Sequence, residues 1–258
     1  MKPDQAKPAP AVTPNPWAAV RDWTEARLAL GRAGTAIPTG EILSFQLDHA
    51  RARDAVVRPC DLDSLASAIG ALGPGTVRVH SRAADRAAYL RRPDLGRLLL
   101  PADEAFLENL RGDFDLSLIV ADGLSASAIE RQALPFLQTF LPLATAQGWN
   151  LAPIALVSQG RVAIGDEIAS RLGAKASVIL IGERPGLSSP DSLGAYLTWQ
   201  PRPGLQNADR NCLSNIRPGG MTFADAAGRL ESLLRGARLL GRSGVSLKED
   251  SWLTLGGS

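Results

Sequence analysis

Four apolar residues in a row, Val178-Ile179-Leu180-Ile181, favour extended backbone and show none of the alternation of a one-sided sheet. Such a run predicts a strand buried on both faces, as in a parallel sheet covered by helices. It stops abruptly at Gly182-Glu183-Arg184-Pro185-Gly186, where two glycines, a proline and a charged pair force the chain out as a loop. In open α/β sheets ligands sit outside the carboxyl ends of the strands, so this loop marks a binding edge.

The same reading extends along the chain. Trp17, Val20, Trp23, Ala26, Leu28 and Leu30 lie near helical spacing, which predicts a helix ending around Gly31. Thr39 is placed to cap a second helix that runs to about Val57 and carries Phe45 and His49 on one face. A third helix is expected over 62–72, and Val77 and Val79 alternate with Arg78 and His80 in a short strand over 76–80. The segment from Arg82 to Pro93 is basic, and reads as a solvated helix face, a subunit contact or a phosphate contact.

From residue 113 the period changes. Strands are expected over 115–121, 153–157, 178–181, 195–199 and 212–216. Helices are expected after Ser125, where Pro135 and Pro142 should kink or end the run, and again between Gly160 and Gly173. The last helix is the clearest, with Thr222 as cap, Asp225 at the capping-box position, one apolar face from Phe223 to Leu240 and Gly241 as stop. Alternating strands and helices predict an α/β fold: a Rossmann-like, doubly wound, mostly parallel sheet over 111–258. A smaller, mainly helical domain over 17–110 and a flexible leader over 1–16 are expected before it.

Composition removes several function classes. The chain has 258 residues and a formal net charge of +2, from 28 basic and 26 acidic side chains. That balance gives no footprint for nucleic acid or an acidic membrane surface. No apolar run reaches the roughly 18 to 20 residues that span a bilayer. The leader carries five prolines and no apolar core, which does not fit a secretory signal. The two cysteines, Cys60 and Cys212, lie far apart and suggest a reducing compartment.

Catalytic motifs are scarce. No G-x-G-x-x-G follows a strand, and no P-loop is present. Asp-Gly-Leu-Ser-Ala-Ser (122–127) approaches a nucleophile elbow around Ser125, but both histidines, His49 and His80, precede it, against the order of that hydrolase fold. Two cysteines and two histidines at these separations fit no zinc signature. What remains is three loops, at 160–162, 182–186 and 211–215. They offer backbone amides, a carboxylate, a thiol and hydroxyls, which suits holding a large polar ligand better than acid–base chemistry.

Seven stretches carry a resemblance to a known family: 27–34 (RLALGRAG), 45–56 (FQLDHARARDAV), 79–97 (VHSRAADRAAYLRRPDLGR), 120–126 (VADGLSA), 159–168 (QGRVAIGDEI), 180–193 (LIGERPGLSSPDSL) and 211–220 (NCLSNIRPGG). In this order they make the chain resemble the small (light) subunit of ethanolamine ammonia-lyase, which converts ethanolamine to acetaldehyde and ammonia. The resemblance implies an adenosylcobalamin cofactor held between this subunit and a large TIM-barrel subunit that carries the ethanolamine site. It implies corrinoid contacts at Val162, Glu183 and Cys212, with Glu183 accepting from corrin amides and the other two supplying backbone groups and packing. It assigns no catalytic residue and no metal ligand to this chain.

Neither histidine stands in the D-x-H-x-x-G context of domains that place a histidine on cobalt, so the cofactor is expected to stay base-on. The family implies a cytoplasmic protein, in some members inside a bacterial microcompartment; no amphipathic helix precedes Trp17 to serve encapsulation here. The alternative reading is a stand-alone α/β binding module for a nucleotide-like ligand.

Overall fold

The computed structural model describes residues 11–247. They divide into two compact units, one of residues up to Asp54 with Gly186–Ser189, the other Ala55–Pro185 and from Pro190 onward.

In the first unit, α1 (Thr39–Val57, which enters the second unit at Ala55) takes the expected cap residue Thr39 into its first turn, and the Ile42 amide donates to the Pro38 carbonyl at 3.2 Å. Arg27 pairs with Asp48 at 2.5 Å, and Phe45 and His49 stack at 6.1 Å. The helix expected over 17–31 is not formed. Only a 3₁₀ segment, Ala18–Trp23, appears, and it buries none of its residues. A short helix gains most of its stability from packing an apolar face, and this one has none to pack. Thr24 is extended, and its Oγ1 accepts from the Ala26 amide at 3.1 Å, a local bond that competes with helix. Of the expected leader, residues 1–10 lie outside the described residues, whereas Thr13 and Arg32 exchange backbone hydrogen bonds of 2.7 and 3.0 Å.

The second unit is built on a six-stranded sheet. Its elements in chain order are α2 (Leu62–Gly70), β1 (Thr76–His80), α3 (Arg86–Arg91), α4 (Pro101–Asn109), β2 (Leu116–Ala121), the single turn α5 (Ala126–Ala128), α6 (Leu134–Ala146), β3 (Ile154–Ser158), α7 (Ile164–Leu172), β4 (Ala176–Gly182), β5 (Leu193–Trp199), β6 (Arg210–Ile216) and α8 (Phe223–Leu240). The strand order is β1-β3-β2-β4-β5-β6. The first four strands in this order are parallel, and β5 and β6 continue the sheet antiparallel. The strand from the segment expected to be mainly helical, β1, forms one edge, in register with β3 from Thr76 against Ile154.

All seven residues of β4 are buried. Val178 and Leu180 face one core with α2, α6 and α8. Ile179 and Ile181 face the other, with Leu107 of α4 and Ile164, Ile168 and Leu172 of α7. Each such side chain contributes roughly 1.5–3 kcal/mol by leaving water, so the unbroken run is what two covered faces require. The α/β alternation ends at β4. The Pro- and Gly-containing link from Gly182 to Leu193 is too short for a crossover helix, and a short link suits an antiparallel neighbour.

The helix after β2 continues past both prolines instead of ending. A π turn (Ile129–Ala133) precedes Pro135, where no N–H is available to donate, and Pro142 lies inside α6. The last helix has the expected ends: the Asp225 amide donates to Thr222 Oγ1 at 3.1 Å, and Gly241 closes α8 in the left-handed conformation. Among the described residues no helix is long and apolar enough to cross a membrane.

Candidate functional site

The chain leaves β2 toward α6 on one face and β3 toward α7 on the other, which opens a crevice outside the carboxyl ends of these strands. Asp122 holds the two departing loops together. Its carboxylate accepts from the amides of Gln159 (2.9 Å) and Gly160 (3.1 Å) and lies 4.0 Å from Arg86. Burial pushes its pKa up, against those amides and the Arg86 charge. Arg86 in turn donates to the carbonyls of Val56 and Gly123, both at 2.7 Å. The basic segment is therefore spent, at this arginine, on tying loops together.

Two adjoining compartments open at this edge. The larger, about 800 Å³, is lined among others by Arg97, Arg161, Asp166, Tyr196, Arg210 and Cys212. The smaller, about 370 Å³, is lined by Tyr89, Leu124, Ile181, Glu183 and Arg184 among others. Arg161, Val162 and Tyr196 line both. The three residues singled out from sequence, on three separate loops or strands, thus come to one cleft: Val162 at the junction, Glu183 in the smaller compartment and Cys212 in the larger.

Glu183 follows β4, and its carboxylate is fixed from two sides. Oε2 accepts from Ser192 Oγ at 2.5 Å and the Asn215 amide at 3.2 Å, and Oε1 from Ser214 Oγ at 2.6 Å. A carboxylate has about four acceptor positions, so one on Oε1 is left for a further donor. Cys212 sits in register with Tyr196 across β5 and β6 and bonds its side chain. The thiol is solvent-accessible, yet the flanking protein raises its pKa by burial, aided by the Glu183 charge and opposed by the Tyr196 bond. It stays protonated at neutral pH, a packing and hydrogen-bonding group and no nucleophile.

Several residues of the cleft were not singled out from sequence. Tyr89 is fully buried, donates to the Gly160 carbonyl at 3.1 Å, and has guanidinium groups against its ring, Arg161 at 4.1 Å and Arg86 at 4.7 Å. Arg210 and Asp166 form a buried ion pair, each side chain 3% exposed, behind the larger compartment. Arg210 also donates to the Leu205 carbonyl at 3.1 Å and so anchors the loop that walls the cleft. A lone arginine in a strand and an aspartate in a helix give no signal of this pairing until the sheet order is known.

Ser125 is fully buried; its Oγ donates to the Pro190 carbonyl at 2.7 Å and accepts from the Ala128 amide at 3.2 Å. That is a helix cap without access for a substrate. His80 Nδ1 lies 2.7 Å from the Ser81 carbonyl, and His80 lines neither compartment. Among the described residues no cluster of three or more His, Cys, Asp or Glu is arranged to hold a metal.

Comparison with known proteins adds to this geometry. A family model described as ethanolamine ammonia-lyase light chain (EutC) matches residues 14–248. The chain is 52% identical over 244 residues to the ethanolamine ammonia-lyase small subunit of Pseudomonas aeruginosa (strain UCBPP-PA14), covering 92% of this chain and 88% of that protein. It is 53% identical over 257 residues to the protein of the same name from Ralstonia nicotianae, covering 98% and 95%. With that of Pseudomonas fluorescens it shares 50% over 246 residues, covering 94% and 90%.

Proposed function

The chain belongs to the ethanolamine ammonia-lyase light-chain family, a component of a lyase, and from that premise we propose that it holds adenosylcobalamin against a large catalytic subunit. What carries the reading is the convergence of Val162, Glu183 and Cys212 on one continuous cleft at the edge of a mostly parallel sheet.

The residues present fit such a cofactor. The free acceptor position on Glu183 Oε1 suits an amide N–H of the corrin periphery. The Arg161 Nε, buried without a partner, suits an acceptor oxygen. Tyr196 and Val162 offer apolar surface between them. When bound, adenosylcobalamin supplies the radical chemistry of deamination. This chain orients it: Glu183 is pre-set by Ser192, Ser214 and Asn215, Val162 contributes backbone and packing, and protonated Cys212 closes the floor beside Tyr196. Among the described residues no histidine lines the cleft, and in this reading the chain would supply no ligand to cobalt.

The test is ethanolamine deamination by this chain, the cognate large subunit, and both together, each with and without adenosylcobalamin. Turnover only in the reconstituted, cofactor-supplied sample is expected. No turnover in any sample with a folded large subunit overturns the reading and leaves an α/β module for a nucleotide-like ligand.

A further inference from the structure

We propose that the first unit, and α1 above all, is the surface by which this chain docks on the large subunit. This rests on the two-subunit reading above and adds to it the face that makes the contact.

The first unit has no core of its own. Among its described residues, 11–54 and 186–189, Pro38 alone is buried. α1 runs for 19 residues, and the one it buries, Ala55, lies past the unit's end. Ile42, Leu43, Phe45 and Leu47 are all exposed. At about 3.6 residues per turn they spread over more than half of the helix circumference, and a helix apolar on so many sides is one that other elements enclose. Trp17 and Trp23, in the same unit, are 72% and 90% exposed.

What holds the helix from within is slight. Arg21 pairs with Glu41 at 3.1 Å, Arg27 pairs with Asp48, and the Arg27 guanidinium lies 5.6 Å from the Phe45 ring. Such surface ion pairs contribute about 0–1 kcal/mol each, against roughly 1–2 kcal/mol for each residue whose backbone is ordered. A helix gains most of its stability from a packed apolar face, so this one requires a surface to cover it. With three aromatic and three aliphatic side chains largely in water, the unit offers on the order of 600 Å² of apolar surface, near the roughly 800 Å² per partner of a stable interface.

The occupant is a protein, and among proteins the large subunit. Residues 11–54 carry five arginines and five carboxylates, which leaves no field to draw a nucleic acid or an anionic lipid surface. A second copy of this chain, facing α1 across a two-fold axis, would cover a single stripe and leave the rest in water. Residues 14–54 lie inside the match to the light-chain family, so the unit is part of what that family shares. The unit also takes in Gly186–Ser189, in the loop that begins at Glu183. A subunit seated on it bears on the same loop as one that encloses a cofactor at Glu183.

Assembly is measured without any corrinoid, which keeps this proposal separate from the cofactor reading. The full chain is titrated with the large subunit in sedimentation velocity, as wild type, Leu43→Gln, Leu47→Gln, the double variant and Leu239→Gln. Glutamine keeps helix propensity, and Leu239, exposed on α8 of the second unit, controls for loss of a surface leucine elsewhere. Each α1 variant is expected to weaken assembly about tenfold and the pair about a hundredfold, with Leu239→Gln unchanged. Hydrogen exchange over 39–54 should be fast in the free chain and at least about tenfold slower in the complex. Unchanged assembly of the double variant, an equal loss in Leu239→Gln, or equal exchange over 39–54 in both states overturns the proposal. So does protection of 39–54 that grows with the concentration of the free chain, which would make a second copy the occupant. No assembly of wild type with a folded large subunit overturns it together with the two-subunit reading.

Discussion

Ser214 Oγ donates to Glu183 Oε1 at 2.6 Å and so ties the end of β4 to β6 across the intervening strand. With Ser192 and the Asn215 amide on the other oxygen, the carboxylate is pre-oriented before any ligand arrives. Glu183→Ala should weaken corrinoid binding by about tenfold, the worth of one charge-assisted hydrogen bond, while assembly with the large subunit is unchanged. Glu183→Gln should fall between, since it keeps one acceptor oxygen. Equilibrium dialysis and gel filtration read the two effects separately; unaltered affinity in Glu183→Ala removes its role.

Beneath that carboxylate, β4 and the loop after β2 touch backbone to backbone. The Leu124 amide donates to the Gly182 carbonyl at 2.8 Å. A Cβ on Gly182 would lie 2.2 Å from the Ser125 carbonyl oxygen, and one on Gly123, itself at φ +59°, 2.3 Å from that of Gly182. Backbone cannot yield as a flexible side chain does. Gly182→Ala is therefore expected to cost about 2–3 kcal/mol and lower Tm by about 5–10 °C. Calorimetry with a Tm within error of wild type would contradict the close approach.

Much of this was legible before the fold was known, for reasons that differ by element. The 178–181 run reported two covered faces because a strand has only two, and the Thr222 cap and Gly241 stop act within a turn of their own positions. The loops at 160–162 and 182–186 were legible as loops from Gly, Pro and polar content, whereas 211–215, expected as a third loop, lies within β6 and pairs with β5. Hidden were the facts that depend on strand order. That Tyr196 pairs with Cys212, that Arg210 finds Asp166, and that the 76–80 strand joins the sheet follow from which strands neighbour one another. The 17–31 spacing misled because periodicity promises a helix only where its apolar face finds something to cover it.

The Asp166–Arg210 pair should respond unequally to single and double replacement. Burial raises the Asp166 pKa against the pull of Arg210 and Thr198, which marks a charge that is tolerated only because it is matched. Removing one partner, as in Asp166→Ala, leaves a buried guanidinium unpaired and is expected to cost about 3–5 kcal/mol in urea denaturation. Replacing both with apolar residues, Asp166→Leu with Arg210→Met, should recover much of that stability. The double variant should also make the loop around Leu205 more open to proteolysis, because the Arg210 anchor on its carbonyl is gone. Additive losses in the double variant would show that the two side chains act independently.

Cys60 sets an alkaline limit on the fold. Partly buried against the core that contains α2 and α6, its thiol is pushed up from the ordinary value of 9.0 to about 12, first by burial and then by the charges of Glu130 and Asp122. A folded-state pKa above the unfolded one means that the folded chain holds this proton more tightly. The resulting stabilisation is complete below about pH 9 and is lost progressively as the pH rises toward about 12. Cys60→Ala removes this contribution but not those of the other alkaline titrants. The measurement is urea unfolding of wild type and variant at a series of pH values above neutrality. The stability gap between them should be constant up to about pH 9 and narrow beyond it, as the wild type alone begins to ionise this thiol on unfolding. A gap that stays constant across the alkaline range would mean that the Cys60 proton is held no more tightly in the fold than in the unfolded chain.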